Sequence, residues 1–323
     1  MAITKKFTTE FNPSKLGAFV LPTRIKSEFT KGLGKDYLFY GPPGVGKSSL
    51  AKHLASRHPY KYVNVSMNGK IENLRGAIND FCVESQLALD ESIDYSKKVV
   101  LFDEIDGASS AFFDGLRGFM DDYSENTIFI ATCNYFNEIP EAVKSRFECI
   151  NFYPASEMES TSMKNALKLR LKAIVNKKME SEIDEDALDL LASMEFPDMR
   201  YPLKALQTLY IKNVKNIKLE DVTQKSYEFS ELYQLIIKGG EAEEIYKMLM
   251  GEYANSSRDV LRALTDNFIT YIGLNSPSHK RFVPEILSVV NEHMYMSSFK
   301  VDQSTNMRAC VFKLMKAMKV PLT

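Results

Sequence analysis

The most constraining stretch of this chain is Gly41-Pro42-Pro43-Gly44-Val45-Gly46-Lys47-Ser48, set between the apolar run Tyr37 to Tyr40 and the helical pattern SSLAKHLASR. It fits G-x-x-x-x-G-K-[ST] with a strand before and a helix after, the context that gives the pattern meaning. The glycines let successive backbone N–H groups turn towards phosphate oxygens at a helix N-terminus. Lys47 then neutralises β/γ-phosphate charge, and the Ser48 hydroxyl is a hard oxygen ligand for Mg2+. A glycine turn that happens to precede a lysine is the alternative, and the flanking elements disfavour it. Gly41, Pro42, Pro43, Gly44, Val45, Gly46, Lys47, Ser48 and Ser49 are therefore the candidate nucleotide contacts of this loop.

Further short apolar β-type runs alternate with helical patterns: Tyr62 to Val65, Val99 to Phe102, Thr127 to Ala131 and Cys149 to Phe152. That alternation predicts a parallel five-stranded α/β sheet, and the lack of period-2 patterning predicts strands covered on both faces. After Pro154 the strand signals stop. Helical spacing over Glu157 to Lys178, Asp184 to Met194 and Asp198 to Asn213 predicts a small all-helical unit. A Lys-rich polar stretch, Asn213 to Lys225, leads to a third region of helical spacing broken at Gly239-Gly240, Gly251 and the turn Asn275 to Ser278. The expected domains are 1–155, 156–228 and 229–323.

Downstream of the glycine loop, Lys97-Lys98-Val99-Val100-Leu101-Phe102 ends in Asp103, Glu104 and Asp106. An acid at a strand tip suits Mg2+ held through its water shell, the expectation for Asp103, with Ser48 as the other metal residue. Glu104 is placed to orient and polarise an attacking water. Asp106 has two readings, a direct catalytic role or a cap for the helix predicted over Ser109 to Asp122.

Composition narrows the class. The net charge is −1 with 26% charged residues, so any nucleic-acid contact has to come from local patches rather than bulk charge. The four cysteines have no C-x-x-C pair and no histidines at ligand spacing, which predicts reduced thiols and neither a zinc module nor a disulfide framework. The N-terminal stretch MAITKKFTTEF lacks an apolar h-region, and no apolar run approaches the roughly 18–20 residues needed to span a bilayer. A cytoplasmic location is expected, the host's cytoplasm if the source is viral.

With the loop and the acids in place, the chain resembles the AAA+ ATPases, and among them sliding-clamp loaders of the replication factor C and T-even-phage type. FNPSKLGAFVLP at 11–22, ATCNYFNEIPEAVKSRFECINF at 131–152, FPDMRYPLKALQTL at 196–209 and a helical C-terminal region of collar size carry the likeness. The resemblance implies a P-loop nucleotide-binding α/β domain, a helical lid and an all-α collar. It also implies ATP and Mg2+ as cofactors, with Asn134 as sensor 1 on the γ-phosphate or its water. Arg146 of Ser145-Arg146-Phe147 would be an arginine finger reaching a neighbouring subunit's ATP. Arg200 of Asp198-Met199-Arg200 would be sensor 2, acting in cis, with Pro202 in the first turn of its helix. Where the family often carries Y-R-P, this chain has Phe11-Asn12-Pro13. By position the adenine side would be bordered by Thr8, Thr9, Glu10, Phe11 and Val20, with the motif's arginine contacts left unaccounted for.

The implied partners are a sliding clamp, primer-template DNA, further copies of this chain and one different small subunit, with no membrane. Ser66 to Gly76 resembles the stretch that sets a helix N-terminus against template phosphates, making Lys70 and Arg75 candidate DNA contacts. Arg117 joins them from a helix bearing Gly115 and Gly118, while Phe113 stands where related loaders can carry glutamine. The implied activity is DNA-dependent ATP hydrolysis that loads a clamp. A branch-migration helicase is the alternative, though it would normally append a winged helix. An unfoldase would need an aromatic pore loop, which SMNGKIENLRG lacks. A non-hydrolysing scaffold subunit would tend to lose the lysine or the acids, all of which are present.

Overall fold

A computed structural model describes residues 5–68, 72, 74–84, 90, 92–238, 245, 247–248, 257–296 and 302–318. By contacts the chain divides into two compact units, Met1–Leu219 and Glu220–Thr323. In the first, β1 (Tyr37–Tyr40), β2 (Tyr60–Asn64), β3 (Lys98–Asp103), β4 (Thr127–Cys133) and β5 (Glu148–Asn151) make one sheet. Its order is β2-β3-β4-β1-β5, and every pairing is parallel. The expected α/β architecture is present.

Every residue of β3 and β4 is buried, because helices cover both faces. Alternate side chains go to opposite sides. Tyr37, Phe39, Val99, Leu101, Ile128 and Ile130 pack with Leu50, Ala51 and Leu54 of α3 (Lys47–Ala55) and with Ile25 of the short helix α2 (Thr23–Glu28), which follows the single-turn helix α1 (Phe7–Glu10) in the chain. Leu38, Val100, Phe102, Phe129 and Ala131 form the other face. There they meet Phe112, Leu116 and Met120 of α6 (Ser110–Tyr123), which follows the short helices α4 (Val65–Asn68) and α5 (Asn79–Val83). Phe113 is buried in that same cluster, an apolar packing role.

Register places the chemistry. Tyr40 lies opposite Cys133 and Asn64 opposite Asp103, so the glycine loop, the acids and Asn134 all emerge at the carboxyl edge of adjacent strands. After α7 (Glu141–Lys144) and β5 come the helices of the lid: α8 (Glu157–Ile174), α9 (Glu185–Ser193) and α10 (Arg200–Ile211). Ser156 caps α8 by accepting from Glu159 N at 3.2 Å, while Glu159 Oε2 accepts from Ala155 N at 2.8 Å. Pro202 falls in the first turn of α10, where its missing N–H costs little.

The second unit holds most of α11 (Leu219–Lys238), then α12 (Ser257–Asn275), α13 (Val283–Met296) and α14 (Gln303–Ala317). Its core includes Tyr233, Phe268, Ile272, Ile286, Val290 and Leu314. Buried Asn306 ties α14 to α13, with its Oδ1 at 2.7 Å from His293 Nδ1 and its amide donating to His293 O at 3.0 Å. The division between the units falls at Leu219/Glu220, inside the stretch whose composition reads as a linker to about 228. Within that stretch α11 has already begun at Leu219. Among the described residues no helix is long and apolar enough to cross a membrane.

Candidate active site

Gly46 caps α3 with φ +97°, and Gly44 sits at φ +82°, both in the left-handed region that side chains rarely adopt. A Cβ at Gly44 would also overlap the Asp198 carboxylate, so the segment leading into α10 lies directly on the loop. Met199 N donates to Gly44 O at 3.1 Å. Lys47, only 6% exposed, donates from Nζ to Gly41 O and Pro42 O, both at 2.7 Å, and to Asn134 Oδ1 at 2.9 Å. Burial pushes its pKa down to about 8, and the nearby Arg200 charge acts in the same direction. Lys47, Arg170 and Arg200 all line one cavity, a concentration of positive charge that makes a site for an anion.

Asp103 is buried and accepts from three hydroxyl donors. Ser48 Oγ and Thr132 Oγ1 each reach Oδ1 at 2.6 Å, and Tyr62 OH reaches Oδ2 at 3.0 Å. Burial, followed by the Asp103 charge, pushes the Tyr62 phenol up to about 12, which keeps it a donor. Glu104 takes a left-handed turn at the strand end, φ +58°, costing of order 1 kcal/mol. Its N–H is held by Thr132 Oγ1 at 3.1 Å, and its Oε2 accepts from Ser66 Oγ at 2.8 Å. Ser66 also donates to Asn64 Oδ1 at 2.7 Å. Asp106 caps nothing, since Ser109 is the cap of α6. Its Oδ2 instead accepts from the backbone N–H groups of Asn134 and Tyr135 at 2.8 and 2.9 Å, which fixes the backbone that carries Asn134.

A cavity of about 150 Å3 is lined by Thr8, Phe11, Val20, Pro43, Gly44, Val45, Gly46, Lys47, Ser48, Ser49, Glu104, Asn134 and Arg200 from the expected set. Gly41 and Pro42 border a neighbouring concavity with Tyr135 and Tyr153. Thr9 and Glu10 do not line the cavity. The single turn of α1 puts Thr8 and Phe11 on one side at i, i+3, leaves Thr9 exposed and pairs Glu10 Oε1 with Lys178 Nζ at 2.7 Å. Thr132, Phe19, Leu167, Arg170, Met199 and Leu203 also line it. Sequence reasoning misses Thr132, whose only signal there is a polar side chain at the tip of an apolar strand. The lid residues carry no local signal of their own.

Arg146 is absent from this cavity. Its Nε and Nη2 grip Asp121 at 3.1 and 2.8 Å, and Nη1 donates to Ala142 O at 2.9 Å. Arg117 pairs with Asp114 at 3.1 Å beside Gly118, above which a Cβ would meet open space. Lys70 lies outside the described residues, as does the side chain of Arg75.

The donor set suits Mg2+. Ser48 Oγ and the Asp103 carboxylate are hard oxygens beside the loop. Among the described residues no three His, Cys, Asp or Glu side chains form a metal cluster, so a cation there would complete its shell from phosphate and water oxygens.

Residues 37–155, which contain the loop, both acids and Arg146, match the family model described as "ATPase family associated with various cellular activities (AAA)". Over 246 residues the chain is 30% identical to the replication factor C small subunit of Archaeoglobus fulgidus, covering 72% of this chain and 73% of that one. The chain belongs to the replication factor C small-subunit family of AAA ATPases. The Sulfurisphaera tokodaii small subunit is 26% identical over 290 residues, 86% of this chain and 84% of that one. A protein of Acanthamoeba polyphaga mimivirus, named as a putative replication factor C small subunit, is 30% identical over 214 residues, 62% of this chain and 56% of that one. These relatives carry the replication factor C side of the resemblance. A proline-to-glycine variant of Thermotoga maritima RuvB has a similar structure, with TM-score 0.52 over 90% of this chain and all of that one. At 14% identity this likeness shows the fold alone. ATP hydrolysis is the family's activity.

Proposed function

We propose that this chain is the ATP-hydrolysing subunit of a sliding-clamp loader. Several copies, with one different small subunit, encircle primer-template DNA and hold a ring-shaped clamp open in the ATP state. Hydrolysis releases the closed clamp. Lys47 and Arg200 hold the phosphates, Ser48 and Asp103 would hold Mg2+, and Asn134 aligns the attacking water that Glu104 polarises. Bound Mg2+ would neutralise charge on the β- and γ-phosphates.

One observation supports this assembly over a self-contained ATPase. Every catalytic candidate converges on the loop except Arg146, which stands away from the chain's own cavity on Asp121. An arginine finger so placed serves a second copy. ATP turnover measured for the chain alone, with primed DNA, and with DNA, clamp and small subunit tests the proposal. A loader reaches full rate only with all of them, and a full rate from the isolated chain would refute it.

A further inference from the structure

The base side of the cavity is walled by Phe11, Asn12, Pro13, Phe19 and Val20, which precede the sheet in sequence. This wall is tied to the lid. Arg170 of α8, one turn beyond Leu167, donates from Nη1 to Ala18 O at 2.8 Å and from Nη2 to Phe11 O. Lower on the same helical run Lys178 holds Glu10, and from α10 Gln207 Oε1 accepts from Phe7 N at 3.1 Å while Tyr210 packs on the Phe7 ring at 5.4 Å. Arg200, the cation near the phosphate end, opens that same α10.

Arg170 is the unusual member of this set. It is half-buried, lines the cavity and has no ion-pair partner among the described residues, and burial pushes its pKa down. A desolvated cation held only by two carbonyls leaves further N–H donors and a planar face at the cavity wall. Its position answers the gap left by Phe11-Asn12-Pro13, where the family pattern carries an arginine.

We propose that Arg170 is a positioning residue for purine recognition: it clasps the 11–18 segment to the lid helix, so the base wall forms only when the lid is in place. This rests on the reading of the cavity as an ATP site. Binding of the base and closure of the lid are then one event, because Arg170, which clasps the wall, and Arg200 sit on helices of the same lid.

The test compares two ligands on the full chain in one Mg2+ buffer: ATP, which has a base, and inorganic tripolyphosphate, which has none. Arg170→Ala should weaken ATP by about tenfold or more, the loss of one charge-assisted contact, and leave tripolyphosphate within about twofold. Arg170→Lys should behave similarly, since one ammonium cannot reproduce the planar fork. Phe11→Ala combined with Arg170→Ala should cost less than the product of the single losses, because both act through one wall. Equal loss of both ligands would make Arg170 a general lid strut, and unchanged ATP affinity would remove it from recognition; either overturns the proposal. If Arg170→Ala fails to fold, the Lys variant carries the same comparison. Failure of the ATP-site reading looks different: Lys47→Ala would then leave wild-type affinity for both ligands.

Discussion

Lys47 and Glu104 sit at the same cavity with different work, and their variants should separate. Lys47→Ala removes the phosphate charge partner and should abolish ATP binding. Glu104→Gln should keep binding and cut turnover by about 10²–10⁴-fold, because an amide is a poor base. Equilibrium binding beside steady-state turnover decides, and normal turnover in Glu104→Gln would take Glu104 out of the mechanism. For Asp106 the expected split is milder. Its carboxylate holds the Asn134 and Tyr135 N–H groups, so Asp106→Ala should lower kcat with little change in ATP affinity, as loss of alignment rather than of a ligand. An affinity loss as large as the kcat loss would place Asp106 among the binding residues. Its acidity was legible in the sequence; which backbone groups it holds was not, since those donors lie on the next strand's exit.

At the scale of elements, the sheet contains a testable charge. Asp36, just before β1, accepts from Phe129 N at 2.7 Å, and burial pushes its pKa up to about 6. The folded protein therefore binds this proton more tightly than the unfolded chain, so wild-type stability falls as pH rises from about 4 through about 6. Asp36→Asn keeps an oxygen acceptor and removes the buried charge. It should stabilise by about 1–3 kcal/mol at pH 7 and by almost nothing near pH 3.5. Denaturant melts across that range measure it, and a pH-independent difference would refute the burial argument. Helix α6 and the segment after α7 supply a second case through the Asp121–Arg146 pair. Arg146→Ala should spare ATP binding by an isolated chain and cut turnover in the assembly by roughly 10³-fold. Mixing Glu104→Gln chains with Arg146→Ala chains should restore some turnover at composite interfaces. No rescue at any ratio, with assembly verified, would argue that the finger acts elsewhere.

For the whole molecule, a net charge of −1 leaves DNA affinity to aligned local contacts. Lys70→Ala with Arg75→Ala should flatten log affinity against log salt by about one unit per lost phosphate contact, multiplied by the copies engaged, while ATP binding persists. A wild-type slope would move the search to Arg117 and the open face at Gly118. Contiguous chemistry can be read directly along the chain. The glycine loop needs its neighbours only at fixed spacing, the acids follow the strand that carries them, and apolar runs alternating with helical periods specify a parallel sheet. The contacts assembled across the chain required the three-dimensional packing. Thr9 and Glu10 turn out of the cavity because α1 docks through Phe7 onto α10, Thr132 and Tyr62 meet Asp103 through strand register, and Arg170 reaches Phe11 across more than half of the first unit. Those contacts join residues far apart in the chain, and no local period or propensity records which pairs will meet.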